Sequence, residues 1–262
     1  MPEAIDFKLT RRSTVTMQVH ADLRLRIISG ELRPKASISE NEIAERYGVS
    51  RTPAREVLGR LEEEGLVEIY PQYGSFIAPI RIDDVHDSQF VRECLECAAL
   101  AKALPALTAE DCEKLKANIA LQAALVQGPE AQFVAADEEM HQMFFNVAGH
   151  ARAWSVVAAA KIPLDRIRFL SARRVDKRQS VVAEHQAIVD GCLAGDSKAA
   201  LAALRLHLRG AFASIVTAMK DHPDFFGSDL EEARPAGGSS SRERKRPEPA
   251  TKVGAGQVRK IR

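Results

Sequence analysis

Residues 48–67, GVSRTPAREVLGRLEEEGLV, hold the reading that decides the fold. Ala54, Val57, Leu58 and Leu61 recur at helical spacing and leave Arg51, Thr52 and Arg55 off the buried stripe. Ser50 suits the N-cap, Pro53 falls in the first turn, where a missing amide does little harm, and Gly65 closes the helix. Two arginines near the start of a helix meet the positive end of its macrodipole, which disfavours cations. Such a helix is suited to meeting an anion there, where its free amides also point.

The neighbouring segments supply a context. TVTMQVHADLRLRIIS, residues 14–29, places apolar side chains at 15, 19, 23, 27 and 28 and predicts a helix stopped by Gly30. ENEIAERY predicts a second helix, with Ser39 and Glu42 spaced as a capping box and Gly48 as its stop. LVEIY and SFIAPI, joined by PQYG, read as a small β-hairpin. Helix, helix, sharp turn, helix, hairpin is the order of a winged helix-turn-helix, whose third helix points its N-terminus into the major groove. Arg51 or Arg55 could then bind guanine bidentately, worth about 1–3 kcal/mol of base discrimination. Thr52 and Ser50 are short donors suited to phosphate oxygens or a base edge. The plainer alternative is a solvated face in which Arg55 pairs with a nearby Glu.

The chain's 262 residues allow two modest domains, and 45% hydrophobic with 28% charged residues is a globular balance. No apolar run reads as long enough to cross a bilayer, and MPEAIDFKLTRR lacks the form of a secretory signal. Cys94, Cys97, Cys112 and Cys192 are too unevenly placed for a disulfide framework, which points to a cytoplasmic, reducing setting without a membrane partner. Cys94 and Cys97 form a CxxC inside a helix, poor ground for zinc or redox chemistry. Residues 1–12 read as a flexible start. Residues 233–262, rich in Gly, Ser, Pro and basic side chains, read as a disordered tail with nonspecific phosphate affinity at most.

From about residue 82 the pattern is helical only, predicting a bundle of six or seven helices. The fold class expected is therefore mainly α: a winged helix-turn-helix with a small β-hairpin wing, followed by an all-α bundle. Thr108 and Asp111 are spaced as a capping box, and Asp196 caps the last long helix. Asp137 and His141 share a helix face, and His185 and His207 lie on the last two long helices. One carboxylate and three imidazoles could ligate a divalent metal and leave positions for water or an anion. Spacing alone favours an ordinary core or surface residue for each histidine.

The run from LRPKASISENEIAERYGVSRTPAREVL through IYPQYGSFIAPI resembles the DNA-binding domain of the GntR family of bacterial regulators, over residues 13–80. The resemblance implies a helix-turn-helix at about 40–59, DNA contacts by Arg51, Thr52 and Arg55, and a wing of Gln72, Tyr73 and Gly74 over the minor groove. Two departures stand out: Lys35 occupies a position where many members have Gly, and Asn41 one where some have Arg. Asn41 can still bind a phosphate or adenine.

DEEMHQMFFNVAG and AEHQAIVDGCLAGDSKAALAALRLHL resemble the FCD ligand-binding domain of the FadR-type subfamily, over residues 87–220. Its shortness suggests the six-helix, VanR-like variety. The resemblance implies Asp137, His141, His185 and His207 as ligands to a divalent metal, zinc before nickel or manganese, and a small carboxylate effector. Arg92 is the candidate carboxylate clamp, because its guanidinium offers a bidentate fork; the alternative is an i,i+4 pair with Glu96. Arg166 and Arg168 are lesser candidates that could lie on the bundle surface. His150, where relatives often have Asn, could alter the pocket rim. The expected function is a homodimeric, ligand-responsive repressor on a near-palindromic double-stranded DNA operator. A metal-dependent enzyme and a nonspecific architectural DNA-binding protein are the alternatives.

Overall fold

The structure is a computed structural model and describes residues 14–227. The expected flexible start at 1–12 and basic tail at 233–262 lie outside the described residues.

Helix α1, Val15–Ile28, starts where the Thr14 hydroxyl accepts the Met17 amide, and it turns Val19, Leu23 and Ile27 inward. A two-residue strand β1, Ser37–Ile38, leads into α2, Glu40–Tyr47, and α3, Arg51–Glu63. Gly48 ends α2 in the left-handed conformation (φ 63°), which a residue without Cβ adopts at no steric cost. Only half of the expected capping box forms on α2: the Ser39 hydroxyl accepts the Glu42 amide at 3.2 Å, with no return bond among the described residues. Ser50 has the extended backbone of an N-cap, but its hydroxyl makes no cap bond. The reason is local: one of the two amides such a hydroxyl seeks belongs to position 53, and Pro53 has none.

Strands β2, Val67–Tyr70, and β3, Gly74–Ile77, form the expected antiparallel hairpin, with Val67 opposite Ile77 and Tyr70 opposite Gly74. Pro71, the positive φ of Gln72 (70°) and the Tyr73 amide donating to the Tyr70 carbonyl at 3.0 Å match a type II turn. The sequence reading missed the third strand. β1 pairs with β3, giving the order β1-β3-β2, and two residues are too few to carry an alternating pattern. Lys35 adopts φ 68° while its amide donates to the Ile77 carbonyl at 2.8 Å. The chain thus keeps a turn that glycine would ease, at roughly 1–2 kcal/mol. Ala54, Val57, Leu58 and Leu61 of α3 pack with Val19, Leu23, Ile43, Leu66 and Ile77; each large side chain so buried contributes about 1.5–3 kcal/mol.

The bundle comprises α4 (Ile82–Ala103), α5 (Ala109–Ala124), α6 (Glu130–Val147), α7 (Trp154–Ala160), α8 (Ile162–Ala172), α9 (Val175–Leu193) and α10 (Ser197–Asp221). Lys161 alone separates α7 from α8, so the seven segments become six if that pair is taken as one interrupted helix. The Thr108–Asp111 box closes in both directions on α5, and Asp196 accepts the Ala199 amide at the start of α10. Leu100, Met140, Phe144, Phe145, Ile188, Val189, Leu204 and Leu208 fill the interior. By length and composition α10 could cross a membrane, contrary to the sequence expectation, yet Ala200, Leu204, Leu208 and Ile215 are buried against the bundle.

The winged domain rests on this bundle through α8. Val134 of α6 and Ile162, Phe169 and Ala172 of α8 belong to the same apolar cluster as Leu23, Ile27 and Leu61. Arg173 donates to the Ser29 carbonyl at 3.0 Å, and the Ile80 amide to the Phe225 carbonyl at 2.8 Å.

Helices α9 and α10 approach so closely that a Cβ on Gly191 would stand 2.6 Å from the Ala200 nitrogen and 2.8 Å from its Cα. Both obstacles are backbone, which cannot rotate away. Gly191→Ala is expected to destabilise the fold by about 1–3 kcal/mol in denaturant unfolding. An unchanged midpoint would contradict this approach of the two helices.

Candidate metal centre and nucleic-acid interface

Ser50, Arg51, Thr52 and Arg55 at the start of α3, with Asn41 of α2, are all exposed, as are Gln72, Tyr73 and Gly74 at the hairpin tip. Arg51 makes no side-chain hydrogen bond among the described residues. Arg55 realises the plainer alternative: its Nε lies 2.6 Å from Glu40 Oε1 and its Nη2 3.2 Å from Oε2. That pairing, strongest through the hydrogen bond, lowers the Glu40 carboxyl and raises Arg55. The pair is solvated and leaves the guanidinium 77% exposed, so a phosphate or base can compete for it. The Ser50 hydroxyl, freed by Pro53, faces the same end of the helix.

In the bundle, α6 brings Asp137 and His141 to one point, α9 adds His185 and α10 adds His207. Ligand atoms of the three histidines all lie within 4.8 Å of one another, and each residue is buried. Asp137 Oδ1 stands 3.7 Å from His185 Nε2, and its Oδ2 4.0 Å from His141 Nε2. Each imidazole has its Nδ1 edge turned outward to an oxygen: His141 to Glu96 Oε2 at 2.7 Å, His185 to Gln122 Oε1 at 2.7 Å, His207 to Glu184 Oε2 at 2.9 Å.

The hydrogen-bond chain behind His185 settles its tautomer. Asn118 Nδ2 donates to the Ala136 carbonyl, so Asn118 Oδ1 accepts from Gln122 Nε2 at 2.7 Å. Gln122 Oε1 is then the acceptor, and His185 Nδ1 must carry the proton. Glu184 imposes the same on His207. The two Nε2 atoms, only 3.2 Å apart, therefore face each other with bare lone pairs. Neutral imidazoles with outward Nδ1–H groups and inward lone pairs, as at His185 and His207, are the donors a metal such as zinc requires, including their outer partners.

The surrounding ionisation agrees. Burial would raise the Asp137 carboxyl, but the Arg168 guanidinium, then His185 and His141, hold it well below the usual range. Burial pushes His185 far down, and pushes His207 down to about 4 against the opposing bond from Glu184. Glu96, despite burial, is brought to about 2 by Arg92 and His141. The ionised Asp137 and the neutral His185 and His207 are in the states that ligate a metal without first losing protons.

The arginines correct two expectations. Arg92 is buried and forms the i,i+4 pair with Glu96 at 2.5 Å, the plainer of its two alternatives, and its Nη2 also reaches His141 Nε2 at 3.3 Å. Arg168 and Arg166 do not lie on the bundle surface. Arg168 bonds Asp137 Oδ2 and, at 3.1 Å, Asp165. Arg166 is 3% exposed, and burial brings it down to about 10. A narrow cleft at this centre is lined by Arg92, Asp137, Arg168 and His207 together with Lys177 and Arg178. His150 is exposed beside Lys102 and does not line that cleft, so it does not shape the rim. Sequence reasoning missed Asn118, Gln122 and Glu184, which touch the imidazoles or their partners. Their only signals were the i,i+4 spacing of Asn118 and Gln122 and the adjacency of Glu184 to His185.

Comparison with known proteins identifies both parts of the chain. Residues 15–77 match the bacterial regulatory proteins of the gntR family, and residues 87–210 match the FCD domain. The chain is 38% identical over 221 residues to an HTH-type transcriptional regulator in an unstable DNA locus of Streptomyces ambofaciens, covering 84% of this chain and 93% of that one. It is 27% identical to the HTH-type transcriptional repressor RspR of Escherichia coli, over 86% of this chain and 99% of the relative. The solved structure of E. coli McbR/YncC shares the fold, with a TM-score of 0.67 at 19% identity over 78% of this chain and 98% of the other. With a reading helix and wing in front of an FCD bundle, the chain belongs to the GntR family and is a DNA-binding transcription regulator, not an enzyme.

Proposed function

We propose that the protein is a cytoplasmic, homodimeric repressor whose operator affinity answers to a small carboxylate held at a metal in the bundle. The observation carrying this reading is a shared wall. The cleft that begins at His207 and Asp137 is lined by Val134 and Ala172, and both also pack in the apolar cluster of the winged domain. A ligand in the cleft thus touches side chains on which the reading head rests.

Asp137, His141, His185 and His207 would hold the metal, with zinc first and nickel or manganese as alternatives for a nitrogen and oxygen donor set. The metal would supply a Lewis-acid anchor for one carboxylate. Arg92 and Arg168, already at the centre, would orient it, each by surrendering part of its bond to Glu96 or Asp137. Two reading helices in a dimer would meet a near-palindromic double-stranded operator, with Arg51 and Arg55 at base edges and Ser50, Thr52 and Asn41 at phosphates or bases. Gln72, Tyr73 and Gly74 would lie over the minor groove. For release, the carboxylate must bind the DNA-free arrangement more tightly; a coupling of about 1–3 kcal/mol changes operator affinity 5–150-fold.

Two measurements test the two halves separately. In selection of bound fragments from genomic DNA, Arg51→Ala is expected to lose the sequence enriched by the unaltered protein, by about 1–3 kcal/mol per half-site. Equal enrichment by both would remove Arg51 from base reading. Elemental analysis after purification is expected to find one divalent metal per chain and far less in His185→Ala. Full metal content in that variant would exclude His185 from the ligand set.

A further inference from the structure

The cleft contains more positive charge than one carboxylate requires. Arg92 is matched by Glu96, and Arg168 by Asp137 and Asp165. Arg178, further out on α9, is different. It is 5% exposed, its Nη1 donates to the Gly128 carbonyl at 2.7 Å, and its plane lies 6.0 Å from the Phe133 ring centre. It pairs with no carboxylate among the described residues, and its buried Nε has no partner at all. A guanidinium carries five N–H donors, and a backbone carbonyl and an aromatic face satisfy neither its charge nor this donor. Lys177, beside it in the cleft, makes no ion pair among the described residues. Glu184, which also lines the cleft, is already bonded to His207.

The charge balance of the interior points the same way. Around the centre, Arg92, Lys161 and Arg168 are matched by Glu96, Asp165 and Asp137, while Arg166, elsewhere on α8, is buried with no ion pair among the described residues. A divalent metal would add two positive charges to a centre whose own arginines are already matched, with Arg178 beyond it. Buried charge without a counter-charge is costly, so the occupied cleft favours a ligand carrying two negative charges over one. Between the centre and Arg178 the walls are apolar, formed by Phe133, Val134, Ile167 and Val181.

We infer that the ligand is a dianionic acid, one carboxylate at the metal and the second anionic group on Arg178 with help from Lys177, joined by a short apolar stretch. This rests on the metal-anchored carboxylate reading and adds the class of ligand and the residue that selects it. Arg178 would then be a specificity residue, reached by the far end of the ligand.

The test is calorimetric titration of the full-length, zinc-loaded protein with dicarboxylates from succinate to suberate. Each diacid is compared with its monoamide, which keeps the length and removes one charge. The expected result is that at least one diacid binds on the order of tenfold tighter than its monoamide, the size of one charge-assisted hydrogen bond. Arg178→Gln should abolish that preference while zinc content and monoamide affinity stay as they were. Because Arg178 also holds Gly128, the diacid-to-monoamide ratio in the unaltered protein tests the inference even if the variant does not fold. A ratio near one for every length overturns the dianion, and a preference that survives Arg178→Gln overturns the role of this residue. If monoamides bind and diacids gain nothing, the metal-anchored reading stands alone. If neither class binds in the presence of zinc, both readings fall.

Discussion

Everything in the bundle's interior is arranged around two bare nitrogen atoms that should repel. His185 and His207 direct Nε2 lone pairs at each other across 3.2 Å because Gln122 and Glu184 claim the opposite edges of the rings. The arrangement persists because buried partners overdetermine it. Gln122 cannot turn over without losing Asn118, and Asn118 is tied to the Ala136 carbonyl and to Glu139. A cation between those lone pairs turns the repulsion into ligation, and the cost of preorganising the rings has then been met by folding. Arg92 and Arg168 stand in the same place as positive charges, each leaning on a group the metal would also use.

The winged domain was legible almost whole, since each of its elements has a local signal. The stripe of α3, the glycine after α2 and the Pro-Gln turn of the hairpin all act within a few residues. What escaped was the pairing of β1, which exists only because β3 returns alongside it, and the idle hydroxyl of Ser50, whose cause lies three positions on at Pro53. In the bundle it was family resemblance that singled out Asp137, His141, His185 and His207, which the structure brings together, whereas spacing alone favoured ordinary histidines. The burial of Arg166 and Arg168 was invisible for a physical reason: α8 is covered on more than one side, so its charged residues have no polar face to mark. Asn118 and Gln122 read as a plain polar pair on α5, and only the approach of α9 makes them the support of His185.

Helix α8 also explains how a change at the centre would reach the reading head. Residues three apart share a helix face and residues two apart do not. Asp165 and Arg168 accordingly face the centre, where they meet Lys161 and Asp137, while Phe169 packs in the cluster of the winged domain. Arg166 lies two positions from Arg168 with its Nε and Nη2 buried and unpaired, and its principal charged neighbour is Glu68 on strand β2. Glu68 is itself bonded to Arg81 at the junction of wing and bundle. Arg166 and Arg168 sit within one turn of α8, so a shift of that helix would displace both, Arg166 relative to Glu68. An unpaired buried guanidinium makes that movement energetically asymmetric: approach to Glu68 is stabilising, and retreat leaves the charge more exposed to its own desolvation penalty. The same helix therefore holds the carboxylate of the centre through Arg168 and carries the buried Arg166 whose charged neighbour is on the wing.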